Sequence, residues 1–496
     1  MSRVTNSGDG DDNWFPLKTT FDTIFMRNKS LKKDGGPMKY FFESQSVAIV
    51  GASTNPKKDG HIILKNIIDS DYSGKIYPVN PNADEVCGLK AYPSLLDIPD
   101  EVDLVVIIIP ARFTPPIMED CAKKGVKAVI IEAMGFAEIG GEGKKLQDKI
   151  VDIAVNNGIR VMGPNCTGIV SKDLVTSFFP IKDVSRGNVT MIGQSGLLAA
   201  GMAADIVVNK SLNIRKICSI GNKCDVNEND LLEYFGDDDE TQVISMYLES
   251  ISDGQQFVKI AKKVTPRKPV IVLYGGRTEA GAQAAMSHTG SIASNAKIVD
   301  TALKQSGCIK ADDFVDLKEY AKVFSTQPIP KGNRAVVVTA AGSVGVVISD
   351  LCEEHGLKLP ELSDDTVNEL KEVFPEWMPP KNPVDLWFSI EQMGLTKALE
   401  KSMSAPLSDP DIDGLIVVLA GFEYTLEVIE KKMVQQIANK YGKPVIICML
   451  VGYDKYKNLL LDELGKDMPV FTSLKSGVKA LGKLCEYGIS VHKKDE

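Results

Sequence analysis

Runs of consecutive apolar residues recur along this chain, each ended by a glycine, proline or polar residue and followed by a mixed, helix-length stretch. Continuous rather than alternating apolar runs mark strands covered on both faces, as in a parallel sheet flanked by helices. The first set falls at 47–50, 75–80, 102–109 and 126–131 and closes at 161–166, with a helix expected from about 60 to 68. A second set falls at 188–192, 214–220, 242–248 and 269–274, and a third at 334–338, 415–419 and 444–449. A Pro-bearing stretch, 325–330, separates the second set from the third. The pattern predicts an α/β protein, with a Rossmann-like domain over 39–168 and two further α/β units over 169–326 and 331–496. Residues 1–38 are polar, with Gly and Asp clusters, and are expected to form an extension with one amphipathic turn around 21–25.

Composition narrows the partners more than the fold. At 496 residues the length suits roughly three domains. A net charge of −9, with no basic patch along the chain, argues against a nucleic-acid binder. Small anions remain open, because local N–H groups and single lysines hold them whatever the net charge. The nine cysteines are scattered, with no C-x-x-C and no His/Cys cluster. No metal site or disulfide framework is therefore expected, and a reducing cytoplasm fits. No run approaches the roughly 18 apolar residues of a membrane span, so no membrane association is expected. Asp9, Asp11 and Asp12 near the start do not suit a secretory or transit signal.

Three times a strand runs into a Gly-led turn that opens a helix. The first turn is Gly51-Ala52-Ser53-Thr54-Asn55-Pro56, where a helix N-terminus presents unpaired N–H groups to a phosphate. With one early glycine and Gly60 later it matches G-x-G-x-x-G poorly, so a phosphate cradle and a plain structural turn both stay open. The second, Gly193-Gln194-Ser195-Gly196, leads into a small-residue helix at 197–203; an anion site and a tight turn with close helix packing are again both open. The third carries Gly342 and Ser343 ahead of a helix that runs to about 355. His288, one of four histidines, follows the run 269–274 and paired glycines, between Ser287, Thr289 and Gly290. Open α/β sheets place their chemistry beyond the carboxyl ends of strands, although a lone histidine also occurs as a structural residue. Glu249 ends the neighbouring strand, as a solvated acid or as the group that orients an imidazole.

Taken in order, the motifs SVAIVGAS, GKIYPVNP, MGPNC, GQSG, SIGNKCDV, YLES, GRTEAGA…SHTGS and NPVDL closely resemble the alpha subunit of the nucleoside-diphosphate-forming acyl-CoA synthetases. These are the ADP-forming acetate–CoA ligase group, relatives of succinyl-CoA synthetase, and the resemblance covers about 39–496. It implies a CoA-binding Rossmann-like domain followed by two flavodoxin-like parallel-sheet domains. The implied reaction is acid + CoA + ATP ⇌ acyl-CoA + ADP + phosphate, through an acyl phosphate and a phosphorylated histidine that matches His288. Glu249 would fix the tautomer of that imidazole, and the helix starts at Ser195-Gly196 and Gly342-Ser343 would bind phosphate. For CoA, the resemblance assigns Gly51, Ala52, Ser53, Thr54, Asn55 and Lys57 to the nucleotide phosphates. Pro110 and Glu132 would line the cofactor, and Asn165 and Cys166 would lie near its thiol, Cys166 as a neighbour and not a nucleophile.

Nothing after the third unit reads as an ATP-grasp module, so the resemblance implies that ATP/ADP and Mg²⁺ are held mainly by a separate beta subunit, in an α2β2 assembly. Two stretches depart from the family pattern. Residues 340–345 read AAGSVG where an Asn and GG-x-G are expected. Trp387-Phe388 follow NPVDL where smaller residues with a Gly are usual, which leaves room for a small carboxylic acid other than acetate. A CoA-binding or CoA-sensing protein without catalysis would use only the first domain and leave His288 and Glu249 without a role. A CoA-dependent protein acyltransferase would need an appended acetyltransferase domain, which the sequence does not suggest.

Overall fold

The computed structural model describes residues 36–181, 184, 186–196, 201, 212–289, 296–421, 432–452, 458, 464 and 468–493; the side chains of 286–289, 421, 451 and 452 are excepted. The amphipathic turn expected at 21–25 and nearly all of the helix expected at 197–203 lie outside these residues.

The first sheet joins β1 (Ser46–Val50), β2 (Lys75–Val79), β5 (Leu104–Ile107), β6 (Ala128–Ile131) and β7 (Arg160–Met162) in the order β2-β1-β5-β6-β7, all parallel. A short hairpin of β3 (Glu85–Val86) and β4 (Leu89–Lys90) lies beside it. The second sheet contains β8 (Ile169–Ser171), β9 (Val189–Gly193), β10 (Ile214–Ser219), β11 (Val243–Leu248), β12 (Val270–Tyr274) and β13 (Ile309–Ala311). Its order is β13-β12-β11-β9-β10-β8, and only β8 is antiparallel to its neighbour. The third orders β14 (Ala335–Thr339), β15 (Val384–Asp385), β16 (Gly414–Gly421), β17 (Val445–Gly452) and β18 (Val470–Phe471) as β15-β14-β16-β17-β18. Every residue of β1, β5, β6, β9, β12 and β14 is buried, the burial expected of continuous apolar runs between helical layers.

Counted within its own unit, each parallel core has the order 2-1-3-4-5, the doubly wound arrangement of flavodoxin-like folds. Each predicted apolar run contains a strand to within a few residues, but β3, β4, β8, β13, β15 and β18, none longer than three residues, correspond to no such run because they are too short to show as one. The longest run, 102–109, yields only β5, because Val102 precedes the sheet and Ile108 and Ile109 leave it to line a cleft. One apolar core spans the first and second sheets and another the second and third. The C-terminal helix Leu474–His492 packs on helix Phe314–Thr326 of the second unit, where Lys479 bridges Asp312 and Asp316 at 2.9 and 2.6 Å.

Candidate active site

In a 2-1-3-4-5 sheet the connections reverse direction between strands 1 and 3, and a crevice opens there beyond their carboxyl ends. In the first unit the switch point falls between Gly51, after β1, and Ile108–Pro110, after β5. In the second it falls between Gln194–Gly196, after β9, and Glu249, after β11. The first unit's strand ends and the turn after β9 meet in one cleft of about 510 Å³. Pro110, Glu132, Asn165, Cys166, Ser195 and Gly196, all singled out in the sequence, line it together. Asp59, Thr167, Phe178, Phe179, Gln194 and Gly221 line it too. Gln194 and Gly221 sit inside the motifs GQSG and SIGNKCDV, a signal that was present. Phe178 and Phe179 carry none; their stacked rings, 4.9 Å apart, are held by Asn66, whose amide donates to the carbonyls of Ser177 and Phe179 at 2.8 and 2.7 Å.

Gly51, Ala52, Ser53, Thr54, Asn55 and Lys57 form the turn behind this cleft and are not among its lining residues. The Asn55 amide N–H donates to the Ser53 hydroxyl at 3.1 Å, and the Asn55 side chain accepts from the Lys57 N–H at 3.0 Å. Thr54, Asn55 and Lys57 are exposed. The helix that follows, Asp59–Asp69, has no side-chain N-cap and carries Asp59 into the cleft. Gly51 has φ +102°, and a Cβ there would stand 2.6 Å from the Ile108 carbonyl oxygen, so only glycine lets β1 turn so close to the end of β5.

Glu132 is the anomaly of the cleft. Its side chain is buried, and neither carboxylate oxygen has a hydrogen-bond partner among the described residues. Burial, then the nearby charge of Asp59, push its pKa well above the ordinary carboxylate value, with the Phe178 backbone, outside hydrogen-bonding geometry, opposing the shift. An orphaned carboxyl at the wall of a cleft suits a ligand that brings its own polar groups, such as the amides of a pantetheine arm. Cys166 is buried beside it; burial and the charge of Glu132 push its thiol up, which leaves it a poor nucleophile at neutral pH.

Because the folded state of Glu132 holds its proton to higher pH than the unfolded chain, the stability it contributes is lost as pH rises above the ordinary carboxylate value. Glu132→Gln is therefore expected to raise the thermal midpoint of the ligand-free protein by on the order of 2–4 °C at pH 8, and by less at pH 5. Equal gains at both pH values in differential scanning fluorimetry would refute this assignment.

Glu249 is buried, accepts from the Tyr247 hydroxyl at 3.0 Å, and has its own N–H bonded to the Gln194 side-chain oxygen at 2.8 Å. Gln194 therefore ties the turn after β9 to the acid that ends β11. His288 falls in helix Glu279–Thr289, which packs against the turn Ala137–Ile139 beside the cleft wall; its side chain is outside the described residues. Gly342 and Ser343 open helix Gly342–Glu354, are exposed, and do not line the cleft. The Asp385 carboxylate lies 3.0 Å from where a Cβ on Gly342 would stand. An acid there is favourable to the helix dipole and competes with any other anion. Beside it, Phe388 packs edge-on against Trp377 at 4.8 Å, and both rings and Trp387 are exposed. Among the described residues no group of three or more His, Cys, Asp or Glu is placed to hold a metal ion, and no helix is long and apolar enough to cross a membrane.

Three family models match in succession: a CoA binding domain over 45–172, a succinyl-CoA ligase like flavodoxin domain over 186–324, and a ligase-CoA domain over 335–450. Fold and cleft thus define a CoA-binding protein of the acid–thiol ligase class. The chain is 40% identical over 433 residues to the alpha subunit of ADP-forming acetate–CoA ligase II of Pyrococcus furiosus, covering 85% of this chain and 92% of that one. To the alpha subunit of ligase I of the same organism it is 36% identical, covering 91% and 97%. In structure it resembles the dinucleotide-forming acetyl-coenzyme A synthetase 1 of Ca. Korarchaeum cryptofilum, solved with phosphate and ADP; the TM-score is 0.86 at 34% identity, covering 93% of this chain and 99% of the other. The chain belongs to the ADP-forming acyl-CoA synthetase family, in its acetate–CoA ligase group.

Proposed function

We propose that this chain is the alpha subunit of an ADP-forming acyl-CoA synthetase that interconverts acid + CoA + ATP and acyl-CoA + ADP + phosphate. The observation that carries the reading is the convergence, in one cleft, of the strand ends of a CoA-binding domain with the GQSG helix start of a ligase domain, beside the helix that carries His288. CoA is read here as the thiol substrate. Pro110, Glu132, Asn165 and Cys166 would line its pantetheine arm, and residues 51–57 its nucleotide phosphates.

Three balanced steps account for the reaction. The His288 imidazole takes the γ-phosphoryl group of ATP, releasing ADP. The carboxylate of the acid then takes the phosphoryl group from the imidazole, giving an acyl phosphate. The CoA thiol attacks its carbonyl carbon, the thioester forms, the C–O bond to phosphate breaks, and the thiol proton leaves with the phosphate. A neutral imidazole is a competent nucleophile near pH 7, and Glu249 would hold its other ring N–H. Transfer itself needs mainly positioning and charge neutralisation, which the backbone N–H groups at Ser195-Gly196 would supply in the cleft and those at Gly342-Ser343 elsewhere on the path. The nucleotide and its Mg²⁺ would be held by an ATP-grasp beta subunit in a cytoplasmic α2β2 assembly, with domains over 39–168, 169–326 and 331–496 in this subunit. The test is co-purification with the candidate beta subunit and a CoA-dependent ADP-release assay across acetate, longer aliphatic and aryl acids. Turnover of at least one acid is expected; CoA binding without ADP release for any of them would leave only a CoA-binding scaffold.

A further inference from the structure

The dipeptide Asn222-Lys223, in the turn after β10, reaches in two directions at once. Asn222 faces the first domain. Its amide nitrogen donates to Glu138 Oε2 at 2.6 Å and to Gln147 Oε1 at 3.1 Å, and its Oδ1 accepts from the Asn165 amide at 3.3 Å. Its backbone N–H bonds the Pro164 carbonyl at 2.9 Å. Glu138 in turn accepts from the N–H groups of Gly135 and Phe136 through Oε1, at 2.6 and 3.2 Å, and so shapes the turn that follows Met134. That turn has the cleft on one side and the His288 helix on the other.

Lys223 faces the second domain. Its Nζ donates to the Ser250 carbonyl at 2.9 Å, to the Ser250 hydroxyl at 3.0 Å and to Glu228 Oε2 at 2.9 Å. The pair is almost fully buried, with 6% of the Lys223 side chain and none of the Glu228 side chain exposed. Glu228 Oε1 also takes the Ser252 N–H, so the loop after Glu249 is held from both ends. The backbone accommodates this divergence by placing Lys223 at φ +55°, the left-handed region that a non-glycine residue occupies at a cost and that occurs preferentially at functional sites. Gly221, at φ +51°, has room for no side chain: a Cβ would stand 2.2 Å from the Pro164 carbonyl oxygen.

We propose that Asn222-Lys223 is a two-sided positioning element, Asn222 setting the cleft wall for the CoA-dependent half of the reaction and Lys223 setting the Glu249 loop for the phosphoryl half. The inference rests on the function proposed above. Neither residue touches a reacting atom; each acts through Asn165 and Glu138 on one side and through Ser250 on the other.

The experiment compares Asn222→Ala, Asn222→Asp and the double variant Lys223→Met/Glu228→Gln, which leaves no lone buried charge. CoA affinity is measured by calorimetry, and the rate of ATP-dependent phosphorylation of His288 in the assembled complex. Each Asn222 variant is expected to weaken CoA binding about tenfold, the scale of one buried hydrogen bond with its partners left unpaired, with phosphorylation unchanged. Asn222→Asp keeps the shape but loses the donor and sets a carboxylate against Glu138, so it is expected to lose at least as much CoA affinity as Asn222→Ala. The double variant is expected to slow phosphorylation about tenfold with CoA affinity unchanged. Equal losses in both readouts for either variant, or wild-type CoA affinity in Asn222→Asp, would overturn the proposal. Absence of labelling in the wild-type complex would instead refute the phosphohistidine reading, and the calorimetry would still decide the role of Asn222.

Discussion

His288→Ala is expected to abolish acid-labile phosphoryl labelling and to lower acyl-CoA formation by three orders of magnitude or more, the scale on which loss of a covalent nucleophile acts. Helix Glu279–Thr289 follows β12, adjacent in the sheet to β11, which Glu249 terminates. On the proposed route the imidazole is the phosphoryl carrier and the buried Glu249 carboxylate its orienting partner. The companion variant Glu249→Gln keeps the packing against Tyr247 but removes the charge that would stabilise the imidazolium; about a 10²-fold slower phosphorylation is expected. Both are read by labelling with γ-phosphate-tagged ATP in the assembled complex. If the alanine variant takes up label at the wild-type rate, the phosphoryl carrier is some other residue.

Gly60→Ala carries the second large effect, and here the reason is steric. A Cβ on Gly60 would stand 2.0 Å from the Gly51 carbonyl oxygen and 2.8 Å from its carbonyl carbon. Both obstacles are backbone, so relief requires the helix Asp59–Asp69 to move away from β1. The expected cost is about 1–3 kcal/mol of stability, and displacement of Asp59 and the 51–57 turn is expected to weaken CoA binding about tenfold or more. Gly254→Ala is the control, because a Cβ there meets nothing within 4 Å. Calorimetric CoA affinity decides it: a Gly60→Ala protein that binds like the control would mean the turn plays no part in holding the nucleotide.

This pair of glycines also shows where the sequence was hard to read. Gly51 and Gly60 do not fit the G-x-G-x-x-G spacing, because the turn between them is longer than in that fingerprint. Yet the close approach of helix to strand that the motif exists to permit is present. The Trp387-Phe388 departure is likewise local: Phe388 packs on Trp377, all three rings are exposed, and none is among the residues that line the CoA-domain cleft. Acid selectivity is therefore best sought with the substrate panel rather than read from those two residues.

What the linear pattern determined is the set of elements and their class. A strand covered on both faces is apolar at most positions, whatever it later packs against, so the runs that became β1, β5, β6, β9, β11, β12 and β14 were visible without any partner. Strand-end residues such as Glu132 and Glu249 were visible for the same reason, since each is the first break in such a run, and Ser195 follows its run within the Gly-led turn. The tertiary structure alone decided which strand ends share a cleft. Asn222 reaches Glu138 across 84 positions and Gln194 reaches the Glu249 N–H across 55, contacts set by the order of strands and the docking of two sheets. No local periodicity encodes such distances, because a hydrogen bond between remote side chains leaves no repeat in the chain on either side of it.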